Sequence, residues 1–271
     1  MSLRRGASIA AIATALLVSA CATAPLSEPV AAVPVVEAGY LSAAALGRIA
    51  DAVPPPSADG SAEQRVDRAL SDRYRALENS DRWLLATAHA ELSPDHALQH
   101  FDCALGVRFA GTTTPRLKAL FEKLLHDANA AAELVKAREF RPRPVGVDAQ
   151  RPSCQRVSDG GRASPSYPSG SAAVGAGYAE AMARIAPDQA AAANEIGHQI
   201  ALSRVVCGMH YPADAAAGEA VGRAVFAQVA ATPAFRADLT AARAELATVR
   251  ASGLTDPGCA AERAALAVVL P

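Results

Sequence analysis

Three short segments of the sequence place charged and polar side chains at spacings that suit the binding of an anion. Lys136 is followed, after six residues, by Arg143 and a proline. Further along stand the run Pro168-Ser169-Gly170-Ser171 and the pair Ser203-Arg204, which is followed by His210 and then Asp214. Together they offer fixed cations, a helix N-terminus and a histidine with a carboxylate nearby, which is the equipment needed to hold a phosphate and attack it.

The cations of this set are Lys136, Arg143 and Arg204. An arginine grips phosphate oxygens with a bidentate fork, and a lysine supplies a point charge. Arg138 and Arg141 lie beside the first two cations, so a solvated basic stretch is the alternative interpretation of this region.

The segment around Ser169 is predicted to open a helix after a loop. The first amides of a helix lack partners within it, and the helix dipole favours an anion there. Gly170 lets the backbone approach a ligand closely. The alternative is a simple helix cap by the Ser169 hydroxyl.

His210 and Asp214 form the most informative pair in the sequence. Asp214 is predicted to lie in the first turn of a helix that Pro212 opens, from which it can reach back to His210. A carboxylate bonded to Nδ1 would fix the tautomer and present Nε2 for attack. The remaining histidines have no such partners and are interpreted as surface or core residues: His89, His96, His100, His126 and His198.

Helices must position these segments, because apolar residues recur at helical spacing and period-two alternation is scarce. The fold class predicted is all-α, a single-domain helical bundle. The predicted helices span residues 62–79, 81–92, 115–140, 169–185, 187–204, 213–230 and 233–247, with a loop over 145–168. Ahead of them, residues 22–38 are predicted to form a flexible tether, and residues 251–271, beyond a domain of 39–250, a C-terminal tail.

Residues 1–21 are typical of an export signal. Arg4 and Arg5 precede an apolar run over 7–20 that is shorter than the roughly 20 residues of an ordinary membrane span. Residues 18–21 resemble a bacterial lipobox, in which Cys21 would become a lipid-modified N-terminus, and ordinary signal cleavage is the alternative. The chain is therefore expected in the periplasm, anchored to the outer membrane if it is lipidated.

The charge balance argues against polyanionic partners. The net charge is −1, and removal of the signal leaves 24 basic against 27 acidic residues. Without a basic surplus, neither nucleic acid nor an anionic membrane surface is an expected partner. Membrane contact is expected only through the lipid anchor, and a homo-oligomer is left open.

Four cysteines remain besides Cys21: Cys103, Cys154, Cys207 and Cys259. An even number in an exported chain is compatible with two disulfides, and about three pairings are open. Free buried thiols are the alternative. These cysteines lack the close spacing of a zinc site, and no metal or other cofactor is expected.

The three segments resemble the signature of the PAP2 phosphatase superfamily: Lys-x6-Arg-Pro, Pro-Ser-Gly-His and Ser-Arg-x5-His-x3-Asp. The bacterial class A nonspecific acid phosphatases are the more similar branch, through residues 53–56, 60–62, 166–170, 203–208 and 232–235. The resemblance covers about 39–247. It implies an all-α fold and metal-free hydrolysis of small phosphomonoesters through a phosphohistidine.

Carried over to this chain, the resemblance makes His210 the nucleophile and Asp214 its orienting acid. Lys136, Arg143 and Arg204 would bind the phosphoryl oxygens. Ser169 and Gly170 would donate hydrogen bonds to them.

The sequence departs from the family pattern at Ser171. The family has a second histidine there, the general acid that protonates the leaving oxygen, and a serine cannot act as an acid in that way. Ser171 can still hydrogen-bond a phosphate oxygen or hold a water. General acid catalysis contributes about 10²–10⁴-fold, so a catalytically weakened or retired phosphate-binding lipoprotein is the alternative function. Vanadium haloperoxidases, which also use that histidine, and integral lipid phosphatases, which carry several membrane spans, fit less well.

Overall fold

The computed structural model describes residues 39–271. Within that range every regular element is helical and no strand occurs, so the all-α fold class is confirmed. The export signal, the lipobox with Cys21 and the tether lie outside the described residues. None of the helices between residues 39 and 271 has the length and apolar character that a bilayer span needs.

Thirteen α-helices follow one another along the described part of the chain: α1 Ala43–Asp51, α2 Ala62–Arg73, α3 Asp81–His89, α4 Pro94–Ala97, α5 Asp102–Leu105, α6 Pro115–Lys136, α7 Pro144–Val147, α8 Asp159–Ala163, α9 Gly170–Ile185, α10 Ala190–Val206, α11 Pro212–Val229, α12 Pro233–Ala251 and α13 Cys259–Leu266. Three short 3₁₀ helices within the same residues span Tyr74–Leu77, Leu98–Phe101 and Pro187–Gln189.

Local sequence signals explain where the long helices begin. Proline occupies the first position of α6, α11 and α12, where its missing amide costs nothing. Ser61 caps α2 and Ser169 caps α9 through their hydroxyls. α6 ends at Lys136 rather than at the predicted residue 140. Just beyond its end, the side chain of Arg138 donates to Asp51 and to the Ala50 carbonyl of α1.

Helix α9 lies at the centre of the bundle and packs against α6, α10 and α11. It is rich in glycine and alanine and is buried along almost its whole length. Small residues allow the close approach: a Cβ at Gly218 of α11 would overlap the Ser169 carbonyl, and one at Gly197 of α10 would overlap the Ala179 side chain. The N-terminus of α9 is thereby held against the start of α11.

Two disulfides join distant parts of the described chain, Cys103 to Cys259 and Cys154 to Cys207. The four cysteines are therefore paired rather than free thiols. The first bridge ties α13 to α5, so residues 251–271, predicted as a tail, include a helix held against the bundle. The second bridge fastens the loop between α7 and α8 to the turn after α10.

Candidate active site

His210 lies in the turn between α10 and α11 and is 2% exposed. Its Nδ1 is 2.8 Å from the backbone carbonyl of Ser166. A carbonyl oxygen only accepts hydrogen bonds, so Nδ1 carries the proton and Nε2 keeps its electron pair. The structure therefore places the ring in the tautomer that a nucleophilic Nε2 requires.

The Nε2 atom faces a guanidinium group. Nη1 of Arg143 lies 2.9 Å from Nε2 and also donates to the Met209 carbonyl at 3.1 Å. Nε of Arg143 donates to the Ser164 hydroxyl at 3.0 Å, which fixes the plane of the fork. Burial, and then the charges of Arg143, Arg204 and Lys136, hold the pKa of His210 well below its usual range. The imidazole is thus neutral, as a nucleophile must be.

Asp214 does not bond His210 directly, contrary to the predicted contact. Its Oδ2 is 4.0 Å from Nδ1 and instead accepts hydrogen bonds from the Ser166 hydroxyl at 2.6 Å and the Tyr211 amide at 2.8 Å. The reason is its position: Asp214 is the third residue of α11, where a carboxylate reaches back to the amide that precedes the helix. Burial raises the pKa of the Asp214 carboxyl, and the charge of Arg141 opposes that rise.

Arg141 belongs to the site, although the sequence suggested only a solvated charge. It is buried and donates to Asp214 at 2.7 Å and to Asp67 of α2 at 2.6 Å. Its guanidinium also lies 4.1 Å from the centre of the Tyr211 ring. The run Arg141-Pro142-Arg143-Pro144 could have indicated this position. Each proline keeps the residue before it extended, so the side chains of Arg141 and Arg143, two residues apart, point to the same side.

Arg204, near the C-terminus of α10, is buried and donates to the Gln155 side chain at 2.6 Å. Its Nε–H has no partner within residues 39–271. Burial and the neighbouring charge of Arg143 lower the pKa of Arg204 to about 10, so it stays protonated at neutral pH. A buried guanidinium with an unpaired donor is suited to an anionic oxygen.

Lys136 ends α6 beside the N-terminus of α9. A Cβ built on Gly170 would lie 3.5 Å from Lys136 Nζ, and Nζ donates to Glu133 at 2.7 Å. Burial lowers the pKa of Lys136; the pairing with Glu133 opposes this, and the charges of Arg143 and Arg204 lower it further. The ammonium group of Lys136 therefore lies next to the N-terminus of α9, as the sequence predicted.

At that terminus the Ser169 hydroxyl accepts from the Ala172 amide at 3.2 Å, so Ser169 is a helix cap. The Ser169 amide donates to the Asp214 carbonyl at 2.9 Å. The amides of Gly170 and Ser171 have no partner among residues 39–271, nor has the half-buried Ser171 hydroxyl. These donors are what the helix end offers to an anion.

The structure places the other histidines away from this cluster. His89 is buried behind α10, with Nδ1 2.9 Å from the Ser203 hydroxyl, and its ring packs edge-on against His100. His96 and His126 contact neighbouring side chains at the surface, and His198 pairs with Glu219. None of these rings contacts Arg143, Asp214 or Ser166 within the described chain.

Known proteins resemble this chain over a span that includes these residues. The family model described as PAP2 superfamily matches residues 121–237, a span that contains every predicted phosphate-site residue. The acid phosphatase of Zymomonas mobilis is 33% identical over 202 residues, covering 74% of this chain and 76% of the relative. The non-specific acid phosphatase of Salmonella typhimurium is 30% identical, covering 72% of this chain and 78% of the relative.

Among solved structures, a transmembrane PAP2 type phosphatidylglycerolphosphate phosphatase from Bacillus subtilis superimposes with a TM-score of 0.45 at 19% identity, covering 68% of this chain and 90% of that chain. We infer nothing about this chain from so distant a match. The family match and the two acid phosphatases assign the chain by sequence: it belongs to the PAP2 superfamily, among the bacterial acid phosphatases.

Proposed function

We propose that this chain hydrolyses small phosphate monoesters through a phosphohistidine at His210, without a metal ion. The observation that carries the proposal is the pairing of Nδ1 with the Ser166 carbonyl, which leaves Nε2 as an electron-pair donor beside Arg143. A neutral, buried imidazole among cations is suited to attack a phosphorus atom whose oxygens those cations bind.

Four groups would hold the phosphoryl oxygens. Arg143 and Arg204 supply guanidinium donors, Lys136 supplies an ammonium, and the N-terminus of α9 supplies the amides of Gly170 and Ser171. The Ser169 hydroxyl accepts the cap bond, so its own proton remains free to donate. Because Arg143 contacts Nε2 itself, a bound ester must take over that contact before attack.

The proposed reaction has two balanced steps. Nε2 of His210 bonds to phosphorus as the ester P–O bond breaks, and the leaving oxygen takes a proton from water. A water molecule then attacks the phosphohistidine and loses a proton, which neutralises the hydroxide left by the first step. The N–P bond breaks, and inorganic phosphate leaves the neutral ring of His210. Three cations and a helix terminus supply the positive charge for both transition states, mainly through positioning and electrostatic stabilisation.

The test uses p-nitrophenyl phosphate and a matched pair of variants. His210→Ala should abolish hydrolysis, whereas His96→Ala, which removes a surface histidine, should keep it. Activity should survive EDTA, and vanadate should inhibit by occupying the phosphoryl site. Loss of activity on chelation with recovery on adding zinc or magnesium would contradict the metal-free mechanism.

A second function is favoured by Ser171, which has no imidazole to protonate the leaving group. On this alternative the chain is a weakened or retired phosphate-binding lipoprotein. Calorimetric binding of inorganic phosphate, together with no turnover of any ester, would establish it and exclude the esterase.

We further propose that the chain acts outside the cytoplasm. The two disulfides and the lipobox-like residues 18–21 support export, since structural disulfides persist in oxidising compartments. If Cys21 carries a lipid, Cys21→Ser should move the protein from the membrane to the soluble fraction. Wild-type protein already found entirely in the soluble fraction would contradict the anchor.

A further inference from the structure

The carboxylate of Asp214 and the ring of His210 are linked through a third residue, Ser166. The Ser166 hydroxyl donates to Asp214 Oδ2 at 2.6 Å and lies 3.3 Å from His210 Nδ1. The carbonyl of the same residue accepts from Nδ1 at 2.8 Å. Ser166 thus touches both partners of a pair that stands 4.0 Å apart.

The carboxylate itself is held from the other side. Arg141 bonds Asp214 Oδ1 at 2.7 Å, and a second carboxylate, Asp67, bonds Arg141 at 2.6 Å. Asp67 also accepts from the Ala213 amide at 3.0 Å, so it ties α2 to the first turn of α11. Arg141, Ser166, His210 and Asp214 are all more than nine-tenths buried, which strengthens the hydrogen bonds among them and restricts their movement.

We propose that Ser166 is the positioning residue through which Asp214 acts on His210, with Arg141 and Asp67 holding the carboxylate in place. The inference rests on the proposed phosphohistidine function and names a residue outside the three predicted segments. The role proposed for Ser166 is to stabilise the positive charge that develops on the His210 ring. When Nε2 bonds to phosphorus, the ring becomes cationic, and the Nδ1 proton then faces a serine already polarised by a carboxylate.

The principal test is Ser166→Ala, a small change that leaves the backbone carbonyl in place. We expect kcat to fall about 10- to 100-fold, the order expected for one hydrogen bond to a charged group. KM and the inhibition constant of inorganic phosphate should stay within about twofold of the wild-type values, since Ser166 is not one of the groups proposed to bind the phosphoryl oxygens. Ser158→Ala, which removes an exposed serine that caps α8 on the other side of that short helix, is the matched control and should keep the wild-type kcat.

A double-mutant cycle distinguishes a relay from two separate contributions. If Asp214 acts through Ser166, adding Ser166→Ala to Asp214→Asn should lower kcat little beyond Asp214→Asn alone. Multiplying effects would overturn the inference. So would a wild-type kcat in Ser166→Ala.

Nitrogen-15 spectra of the His210 ring give a readout that does not need turnover. The wild type should show Nδ1 protonated. Ser166→Ala keeps the carbonyl that accepts this proton, so the tautomer should be unchanged, but the Nδ1 resonance should shift because the hydroxyl 3.3 Å away and its link to Asp214 are lost. Unchanged spectra and unchanged kcat would refute the role of Ser166 while leaving the proposed function intact. An inactive wild type whose spectra still respond to Ser166→Ala would refute the function but retain the coupling.

Discussion

On the proposed function, the residue at position 171 determines whether the leaving group receives a proton as the ester bond breaks. Ser171 is the second residue of α9, half-buried, beside the amides offered to the anion. A leaving group of low pKa departs as a stable anion, whereas an alkyl alcohol needs a proton as the bond breaks. The serine therefore predicts a preference among esters rather than a loss of all activity.

We expect Ser171→His to raise kcat/KM most on alkyl phosphates, by up to roughly 100-fold if the imidazole reaches the leaving oxygen. Aryl phosphates should gain much less, because they hardly need the acid. The measurement is a series of esters with leaving groups of differing pKa. An equal gain across the series would point to phosphate positioning and contradict the missing-acid explanation.

The pH dependence of the reaction should report the environment of His210. Burial and three neighbouring cations lower its pKa, so the neutral nucleophile persists as the pH falls through about 6.5, where an ordinary histidine becomes charged. We expect kcat/KM to show no loss from His210 protonation as the pH falls past about 6.5. Arg204→Gln removes one of those cations and should move the acid limb to higher pH, and an unchanged limb would be evidence against this electrostatic cause.

For individual residues, the sequence predicted which side chains lie at the site better than it predicted the hydrogen bonds between them. The spacing placed Lys136, Arg143, Arg204 and His210 in one cluster because each lies at or near a helix end. It could not distinguish Arg138, which turns to the surface of α1, from Arg141, which is buried against Asp214. That distinction depends on tertiary packing, as does the Ser166 contact, which joins residues 48 positions apart.

Among the elements, the long helices could be predicted and the short ones could not. α9, α11 and α12 begin within a residue of the predicted starts because a serine or proline marks each of them. α4, α5 and α7 have four residues each, too few to show a helical period, and packing decides their conformation. Neither α1 nor α13 was predicted from the sequence.

The two disulfides should have different effects, since only one lies beside the site. Cys154 precedes Gln155, the partner of Arg204, and Cys207 follows Arg204 by three residues. Replacing this pair by serines should cost about 2–5 kcal/mol of stability and weaken phosphate binding about tenfold. Replacing Cys103 and Cys259 should cost a similar amount of stability and leave phosphate affinity unchanged. Melting curves and phosphate titrations check both, and equal losses of affinity would contradict the local role of the Cys154 bridge.

For the molecule as a whole, phosphate should act as a folding ligand. The site gathers Lys136, Arg143 and Arg204 at 11% exposure or less, and their mutual repulsion is relieved when an anion binds. Inorganic phosphate at 100 times its Kd should stabilise the fold by about 2.7 kcal/mol, a rise in Tm of roughly 5–10 °C for a chain of this size. Sulfate at matched ionic strength shows how much of the rise in Tm comes from the charge of the anion alone. If phosphate does not raise Tm, these three cations do not form a phosphate-binding site.

The disulfides are nested: the bridge from Cys103 to Cys259 encloses the one from Cys154 to Cys207. A chain that crosses a membrane N-terminus first presents these four cysteines in the order 103, 154, 207 and 259. Rapid oxidation in that order would join the first to the second and the third to the fourth, neither of which is native. The correct pairing has to wait for the last residues to arrive or be restored by thiol exchange. Production of this protein should therefore depend on a disulfide isomerase, and expression without one should yield a mispaired form that a non-reducing gel separates from the native chain.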